Sequence, residues 1–384
     1  MAESGATESS TARVYWTAFV GLFFDYYDLY LFVYLEKVLA EHFALSASAS
    51  RWLQFAGLAG VGVGALVFGY LADRFGRGRL MLAVFGVYAA GVAGLSLAWN
   101  LESLLACRVV ASLALGAEWG ISHTYLNERV ARGRKYPLAA LLQFSLLGGL
   151  LAALAVRFAE PAIGWRWLFA ASIVPVAALS AVRGKALASV RRPAPGPGGA
   201  VPGLAPALRR QAGALARCWL LASLTIASGT MNVFFAKELP QSPVYTALFW
   251  GAVAPGMLLG AGLVRRLGVG RTLMLYAAGL VLISVGAWCS EWSGRKLAFA
   301  LALATLNGIP FGLMGAFFNE VFSDYRTMLS GAAYNLGRIA AGFSPVLIGA
   351  LGLNAGGNYF LFTAAVGAGV LLLGARTAPA RGLA

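Results

Sequence analysis

The chain has 384 residues, of which 59% are hydrophobic and only 12% are charged. A soluble domain carries about twice that share of charged residues, so the composition excludes an ordinary soluble protein. The net charge of +15 would suit a nucleic-acid binder. The basic residues lie in short loops between apolar runs, however, which is the pattern of a membrane protein and argues against nucleic acid as a partner.

Twelve apolar runs are long enough to cross a lipid bilayer, which takes about 20 helical residues. We predict spans at residues 14–38, 51–72, 80–99, 101–128, 137–158, 164–183, 213–236, 244–264, 272–290, 296–319, 328–350 and 357–376. The alternating pattern of a membrane β-barrel is absent. The predicted fold class is therefore an all-α integral membrane protein with twelve transmembrane helices.

The distribution of basic residues predicts the orientation of these spans. The loops on the side of the termini hold 21 of the Lys and Arg residues, and the opposite loops hold 7. Because basic residues accumulate in cytoplasmic loops, we expect both termini in the cytoplasm. We expect a multi-pass protein of the cell membrane, either the inner or the plasma membrane, and a monomer.

An internal repeat divides the chain into two halves. Arg74-Phe-Gly-Arg-Gly-Arg79 recurs as Arg266-Leu-Gly-Val-Gly-Arg271, at an offset of 192 residues. Further matches occur at this offset: Asn127 with Asn319, Glu128 with Glu320, Arg134 with Arg326, and Gly116 with Gly308. A Pro- and Gly-rich basic linker at 184–212 separates the halves. The sequence predicts an N-terminal six-helix bundle at 1–183 and a pseudo-symmetric C-terminal bundle at 213–384, with a substrate site between them.

Two acids near the middle of the first span are candidate proton-coupling residues. Asp25 and Asp28 share one helix face because they are three residues apart. A charge inside a membrane is costly unless it is paired or hydrated, so such acids usually mark a pathway. The alternative is a neutral acid with a structural hydrogen bond.

Arg108 and Glu118 in the fourth span complete the candidate proton-coupling set. Arg108 lies at a depth from which its long side chain can reach Asp28, which would oppose the effect of burial on the acid. Alternatively, it extends to the membrane surface and anchors the helix end. Glu118 lies about 15 Å further along the helix, as a second proton carrier or a packing acid.

The candidate substrate-binding residues are Arg338, Asn335, Trp119, Asn307 and Tyr27. Arg338 is near the centre of its span, and its planar guanidinium fork matches a carboxylate. Alternatively, Arg338 pairs with an acid in the same half of the chain. Most membrane aromatic residues pack or lie at the interface, which is the alternative for Tyr27.

The candidate gating residues are Asp73, Arg74, Arg77, Arg79 and Glu128. They lie at the predicted cytoplasmic ends of spans, where ion pairs would hold the halves shut and break on inward opening. The positive-inside rule alone explains the arginines, but it does not explain Asp73.

Several of these segments resemble the major facilitator superfamily. Gly69-Tyr-Leu-Ala-Asp-Arg-Phe-Gly-Arg-Gly-Arg79 is similar to its signature between helices 2 and 3, and Gly164-Trp-Arg-Trp-Leu-Phe169 to its segment opening helix 6. Gly116-Ala-Glu-Trp-Gly120, Asp25-Tyr-Tyr-Asp28 and Tyr334-Asn-Leu-Gly-Arg338 resemble its metabolite:proton symporter and sialate or lactate symporter branches. In the second copy of the signature, Arg265 stands where Asp73 would repeat.

The resemblance implies the major facilitator fold and transport by alternating access. We expect a proton-coupled symporter of a small organic anion such as a carboxylate, with the substrate, protons and the lipid bilayer as partners. A proton-coupled drug or cation antiporter is the alternative, and a non-transporting membrane sensor is an alternative of another class. No P-loop, metal-ligand cluster or catalytic motif is present, so we expect no enzyme, no cofactor and no metal.

Overall fold

The apolar runs form helices along the chain. The computed structural model describes residues 2–188, 203–238, 243–289, 296–353 and 359–377. The first half contains α1 (Ala2–Tyr34), α2 (Glu36–His42), α3 (Ala47–Phe75), α4 (Arg77–Ser96), α5 (Leu101–Asn127), α6 (Lys135–Gln143), α7 (Gly148–Leu154), α8 (Glu160–Ile163) and α9 (Trp165–Ala188). Short 3-10 segments at Arg132–Arg134 and Phe144–Leu147 and a π-helical turn at Ala155–Ala159 join α6, α7 and α8.

The second half contains α10 (Leu204–Glu238), α11 (Pro243–Cys289), α12 (Lys296–Val321), α13 (Arg326–Gly342), α14 (Ser344–Ala350) and α15 (Tyr359–Thr377). Within α11 the backbone leaves the helical region at Gly268, with φ 79° and ψ 166°. This break separates the predicted spans 244–264 and 272–290. Residues 189–202 of the predicted linker lie outside the described residues.

Among the described residues, seven helices are long and apolar enough to cross a membrane. The count is eight if Tyr15–Tyr34 and Glu36–His42, which meet at an angle of 55°, form one bent span. Shorter apolar helices occur at Trp165–Ala178 and Phe360–Leu373. The predicted all-α membrane fold is confirmed.

The described chain divides into two compact units. One unit comprises residues 1–131, 144–212 and 319–335, and the other comprises 132–143, 213–318 and 336–384. The first half of α13 thus belongs to the same unit as α1, α3 and α5. The domain boundaries at 183 and 213 stay a prediction.

The repeat at an offset of 192 residues extends to the backbone geometry within each unit. Gly76 and Gly268 both have a positive φ, of 97° and 79°, and each ends one helical run where the next begins. Helices also approach closely at equivalent glycines. A side chain on Gly116 would collide with the carbonyl of Val61, and one on Gly308 would collide with the carbonyl of Val253. The α3–α5 and α11–α12 crossings therefore use the same close packing of small residues.

Candidate proton, substrate and gating sites

Asp28 of α1 and Arg108 of α5 are a buried pair of opposite type that interacts electrostatically; the two residues are 2% and 3% exposed. Within the described part of the chain, neither Asp28 carboxylate oxygen nor Arg108 Nε has a hydrogen-bond partner. Some of the hydrogen-bonding capacity of the pair therefore stays unused.

The walls around Arg108 explain why the guanidinium stays inside the helix bundle. Its Cζ lies 3.9 Å from the centroid of the Phe32 ring, close enough for a cation–π interaction. Gly57 of α3 provides the space on another side, because a Cβ there would lie 2.8 Å from Arg108 Nε. Phe32 and Gly57 were not identified from the sequence. Nothing in the sequence around Phe32 or Gly57 indicates contact with an arginine more than fifty residues away.

Glu118 lies in a separate environment on α5. It is 1% exposed, and Ser122 Oγ donates to its Oε1 over 2.6 Å. A Cβ on Gly21 of α1 would lie 2.7 Å from the same oxygen, so the carboxylate rests against the bare backbone of α1. Asp25 lies one turn from Gly21 on α1 and is partly buried.

Trp119 and Tyr334 form a parallel aromatic stack beside this acid. Their ring centroids are 3.9 Å apart and their planes differ by 2°. The hydroxyls of Tyr26 and Tyr334 are 3.2 Å apart, and Asn335 Nδ2 donates to the Gly116 carbonyl over 2.9 Å. The structure thus brings two predicted substrate residues, Trp119 and Asn335, to the contact between α5 and α13.

Asp73 accepts hydrogen bonds from the start of α13. Its Oδ1 accepts from the Thr327 backbone N–H over 3.2 Å, and its Oδ2 accepts from the Met328 N–H over 2.9 Å. Arg77 donates to Asp73 Oδ1 over 2.8 Å and pairs with Glu128 over 3.1 Å. The same guanidinium donates from Nε to Thr327 Oγ1 over 3.1 Å. Three predicted gating residues, with Thr327 and Met328, form one charged cluster.

The other two arginines predicted at the gate lie outside this cluster. Arg74 donates to the Tyr70 hydroxyl over 2.9 Å. Arg79 is exposed.

The remaining predicted substrate residues are Tyr27, Asn307 and Arg338. Tyr27 is buried and donates to the Leu168 carbonyl over 3.3 Å. Asn307 is also buried, and its Oδ1 accepts from Ser228 over 2.7 Å and from Tyr276 over 3.0 Å. Arg338 is partly exposed on α13. Ser228 and Tyr276 were missed by the sequence analysis because isolated hydroxyls in apolar helices carry no spacing signal.

Among the described residues, no group of three or more His, Cys, Asp or Glu side chains is arranged to hold a metal ion.

Comparison with known proteins identifies the family. The sequence model of the Major Facilitator Superfamily matches residues 18–345. The niacin transporter NiaP of Acinetobacter baylyi is 34% identical over 157 residues, which cover 40% of this chain and 35% of that protein. The cis,cis-muconate transport protein of the same organism is 27% identical over 93% of this chain and 91% of its own length.

A solved structure supports the same fold. The proton:xylose symporter XylE of Escherichia coli, bound to 6-bromo-6-deoxy-D-glucose, superposes with a TM-score of 0.74. The match covers 97% of each chain at 17% sequence identity. At that identity the likeness concerns the fold alone.

Proposed function

The chain belongs to the Major Facilitator Superfamily of membrane transporters, and from this we propose that it is a proton-coupled symporter of a small organic anion. The resemblance to this family is thereby confirmed, and the chain is not an enzyme, since its relatives are named as transporters. The observation that carries the proposal is the buried Asp28–Arg108 pair. Because a charge inside the membrane is costly unless it is paired, protonation of the acid changes the net charge that the pair places there.

The relatives favour an anion as the substrate. Muconate and niacin, which name two of them, both carry carboxylates. Two arginines, Arg108 and Arg338, lie within predicted spans, and positive charges there disfavour a cavity for cations. We propose Arg338 as the group that binds the carboxylate, with Asn335, Asn307, Trp119 and Tyr27 as further contacts.

Charge balance explains why a proton accompanies the anion. A monoanion entering alone works against an inside-negative potential, at about 2.3 kcal/mol per 100 mV. One accompanying proton makes the cycle electroneutral. With both bound, the acid and Arg338 are neutralised, which lowers the desolvation cost of closing around the substrate. Partly loaded states keep an unpaired charge and move slowly, and this difference couples the two fluxes.

Transport in liposomes tests the proposal. We expect purified protein to accumulate radiolabelled cis,cis-muconate or niacin when the outside is acidic, and a protonophore to abolish the accumulation. Xylose serves as the neutral probe and tetraphenylphosphonium as the cationic probe. Proton-driven export of the cation, without movement of either anion, would favour an antiporter instead.

Arg338→Lys should weaken anion binding although the charge is kept, because lysine lacks the planar two-pronged donor arrangement. We expect the KM for the anion to rise about tenfold, which corresponds to about 1.4 kcal/mol, with proton coupling intact. The measurement is initial uptake rate against anion concentration. Arg266→Lys, an exposed arginine of the same unit, is the matched control. Equal KM values in both variants would exclude Arg338 as the anion-binding group.

Asp73→Asn should weaken closure at the predicted cytoplasmic end, since it removes the charge that binds Arg77 and the two backbone N–H groups of α13. We expect the equilibrium between the closed and the open cytoplasmic end to shift toward the open state by about 1–3 kcal/mol. In a background without native cysteines, Met328→Cys, at a buried position, should then react faster with a water-soluble maleimide.

Asp324→Asn is the control for this gate, because Asp324 pairs with the exposed Arg210 over 3.2 Å, and exposed pairs contribute little. Labelling of Met328→Cys should not change in that variant. If Asp73→Asn leaves both labelling and transport unchanged, Asp73 has no gating role.

The proposed location is the cell membrane with both termini in the cytoplasm. The motive is the excess of basic residues in the loops on that side. A single cysteine introduced in the linker, at Ala200, should resist a membrane-impermeant maleimide in intact cells and react after permeabilisation. Strong labelling in intact cells would reverse the orientation.

A further inference from the structure

We propose that Glu118 carries the coupled proton at the inner end of a column of ionisable side chains between α1 and α5. The inference rests on the proposed proton coupling and names the group that receives the proton after Asp28. In this proposal the proton passes from Asp28 to Asp25 and then to Glu118.

The register of α1 against α5 defines the column. Gly21 faces Glu118 and Phe32 faces Arg108, so the two helices run in opposite directions at this contact. Asp25 and Asp28 lie between Gly21 and Phe32 on α1, with spacings of four, three and four residues that keep all four positions on one face. The ionisable groups from Arg108 to Glu118 therefore follow one line of about 15 Å.

The environment of Glu118 suits a proton that is held and then released. The carboxylate is buried and has a short hydrogen bond from Ser122, and the Phe85 ring of α4 lines the same space beside Gly21. The other titratable or charged groups on α5 include Glu102, Cys107, Arg108, His123 and Tyr125. The helices packed against it contribute, among others, Asp25, Asp28 and the tyrosines of α1, Asp73 of α3, Arg77 and Tyr88 of α4, and Tyr334 of α13. Arg108 is about 15 Å away along the helix, so a proton on Glu118 does not compete with it.

Unused hydrogen-bonding positions near the column provide a second observation. Asp28 and Arg108 retain buried atoms without hydrogen-bond partners. Buried polar groups are normally satisfied. A water between the Asp28 carboxyl and Arg108 would supply the missing partners, because a water can both donate and accept.

The transfer conserves charge and bonds at each step. The O–H bond of a protonated Asp28 breaks as the proton passes to the Asp25 carboxylate, leaving the Asp28 carboxylate beside Arg108. The proton then leaves Asp25 for the Glu118 carboxylate, where a new O–H bond forms. Ser122 continues to donate to Oε1 while the proton resides on Oε2.

Infrared spectroscopy of the purified protein tests the proton site without any substrate. During a pH titration, wild-type protein should show a protonated-carboxyl band that Glu118→Gln removes and Glu102→Gln keeps. Glu102 is the matched control, because it lies exposed on the same helix. Ser122→Ala should retain the band, because it removes a hydrogen bond but no carboxyl group. A band that Glu118→Gln leaves unchanged would overturn the proposal.

Transport then distinguishes this inference from the function on which it rests. Glu118→Gln should lose proton-driven accumulation of cis,cis-muconate but retain counterflow, which needs no net proton movement. Full accumulation by Glu118→Gln, with a normal response to pH, would exclude Glu118 as a proton carrier while leaving symport intact. Failure of the wild type to move either anion would instead refute the proposed function, and the infrared result would stand by itself.

Discussion

Replacing Gly116 by alanine should remove most of the folded protein, because the added methyl group would collide with the Val61 carbonyl on α3. A rotamer change cannot relieve this collision, since alanine has no side-chain rotamers and the Val61 carbonyl belongs to the backbone, so the helices have to separate. Overpacking of a core usually costs about 1–3 kcal/mol. We expect Gly116→Ala to lower the free energy of unfolding by an amount at the upper end of that range or more. The measurement is the melting temperature and the monodisperse fraction in detergent.

Gly86→Ala is the matched control, because nothing lies within 4 Å of a side chain at that position of α4. Alanine there should be neutral or slightly stabilising, since glycine is less favourable in a helix by about 0.5–1 kcal/mol. Gly308→Ala should repeat the damage in the second unit, where the collision is with Val253. Equal melting of Gly116→Ala and Gly86→Ala would show that the α3–α5 crossing tolerates a wider separation.

Asp28→Asn should abolish proton-driven accumulation of the anion and keep anion exchange. The substitution removes the titratable group but little volume, so the exchange of one bound anion for another can continue. It also leaves Arg108 as an uncompensated buried charge, and breaking a buried pair in this way costs about 3–5 kcal/mol. The measurement is accumulation under a proton gradient compared with counterflow in the same liposomes.

The double variant Asp28→Asn/Arg108→Gln keeps this test valid if the single variant folds poorly. Removing both charges should restore much of the stability while the transporter stays uncoupled. Asp25→Asn, at a less buried position, should reduce the rate of coupled uptake with a smaller loss of stability. If both aspartate variants accumulate the anion with a normal pH dependence, proton coupling does not pass through α1.

The same pair illustrates how far prediction from sequence extends. The depths of Asp28 and Arg108 within their spans follow from the rise per residue of a helix, and the structure does bring these side chains together. Glu118 was selected because charges are costly in apolar segments, and Asp73 because the positive-inside rule does not explain an acid among the arginines at the ends of spans. The proton, substrate and gating roles of these residues stay predictions for the experiments above.

The spans, the repeat and the break at Gly268 were determined by the sequence alone, because each depends on local composition or on spacing within a short segment. Only the tertiary structure decided the partners. Asp73 accepts from backbone N–H groups 254 and 255 positions away, and backbone donors leave no mark in a sequence. The stacking of Trp119 on Tyr334 likewise depends on how α13 is rotated against α5. Hydrophobic patterning cannot determine that rotation in helices that are apolar on nearly every face, because lipid and protein neighbours select for the same residues.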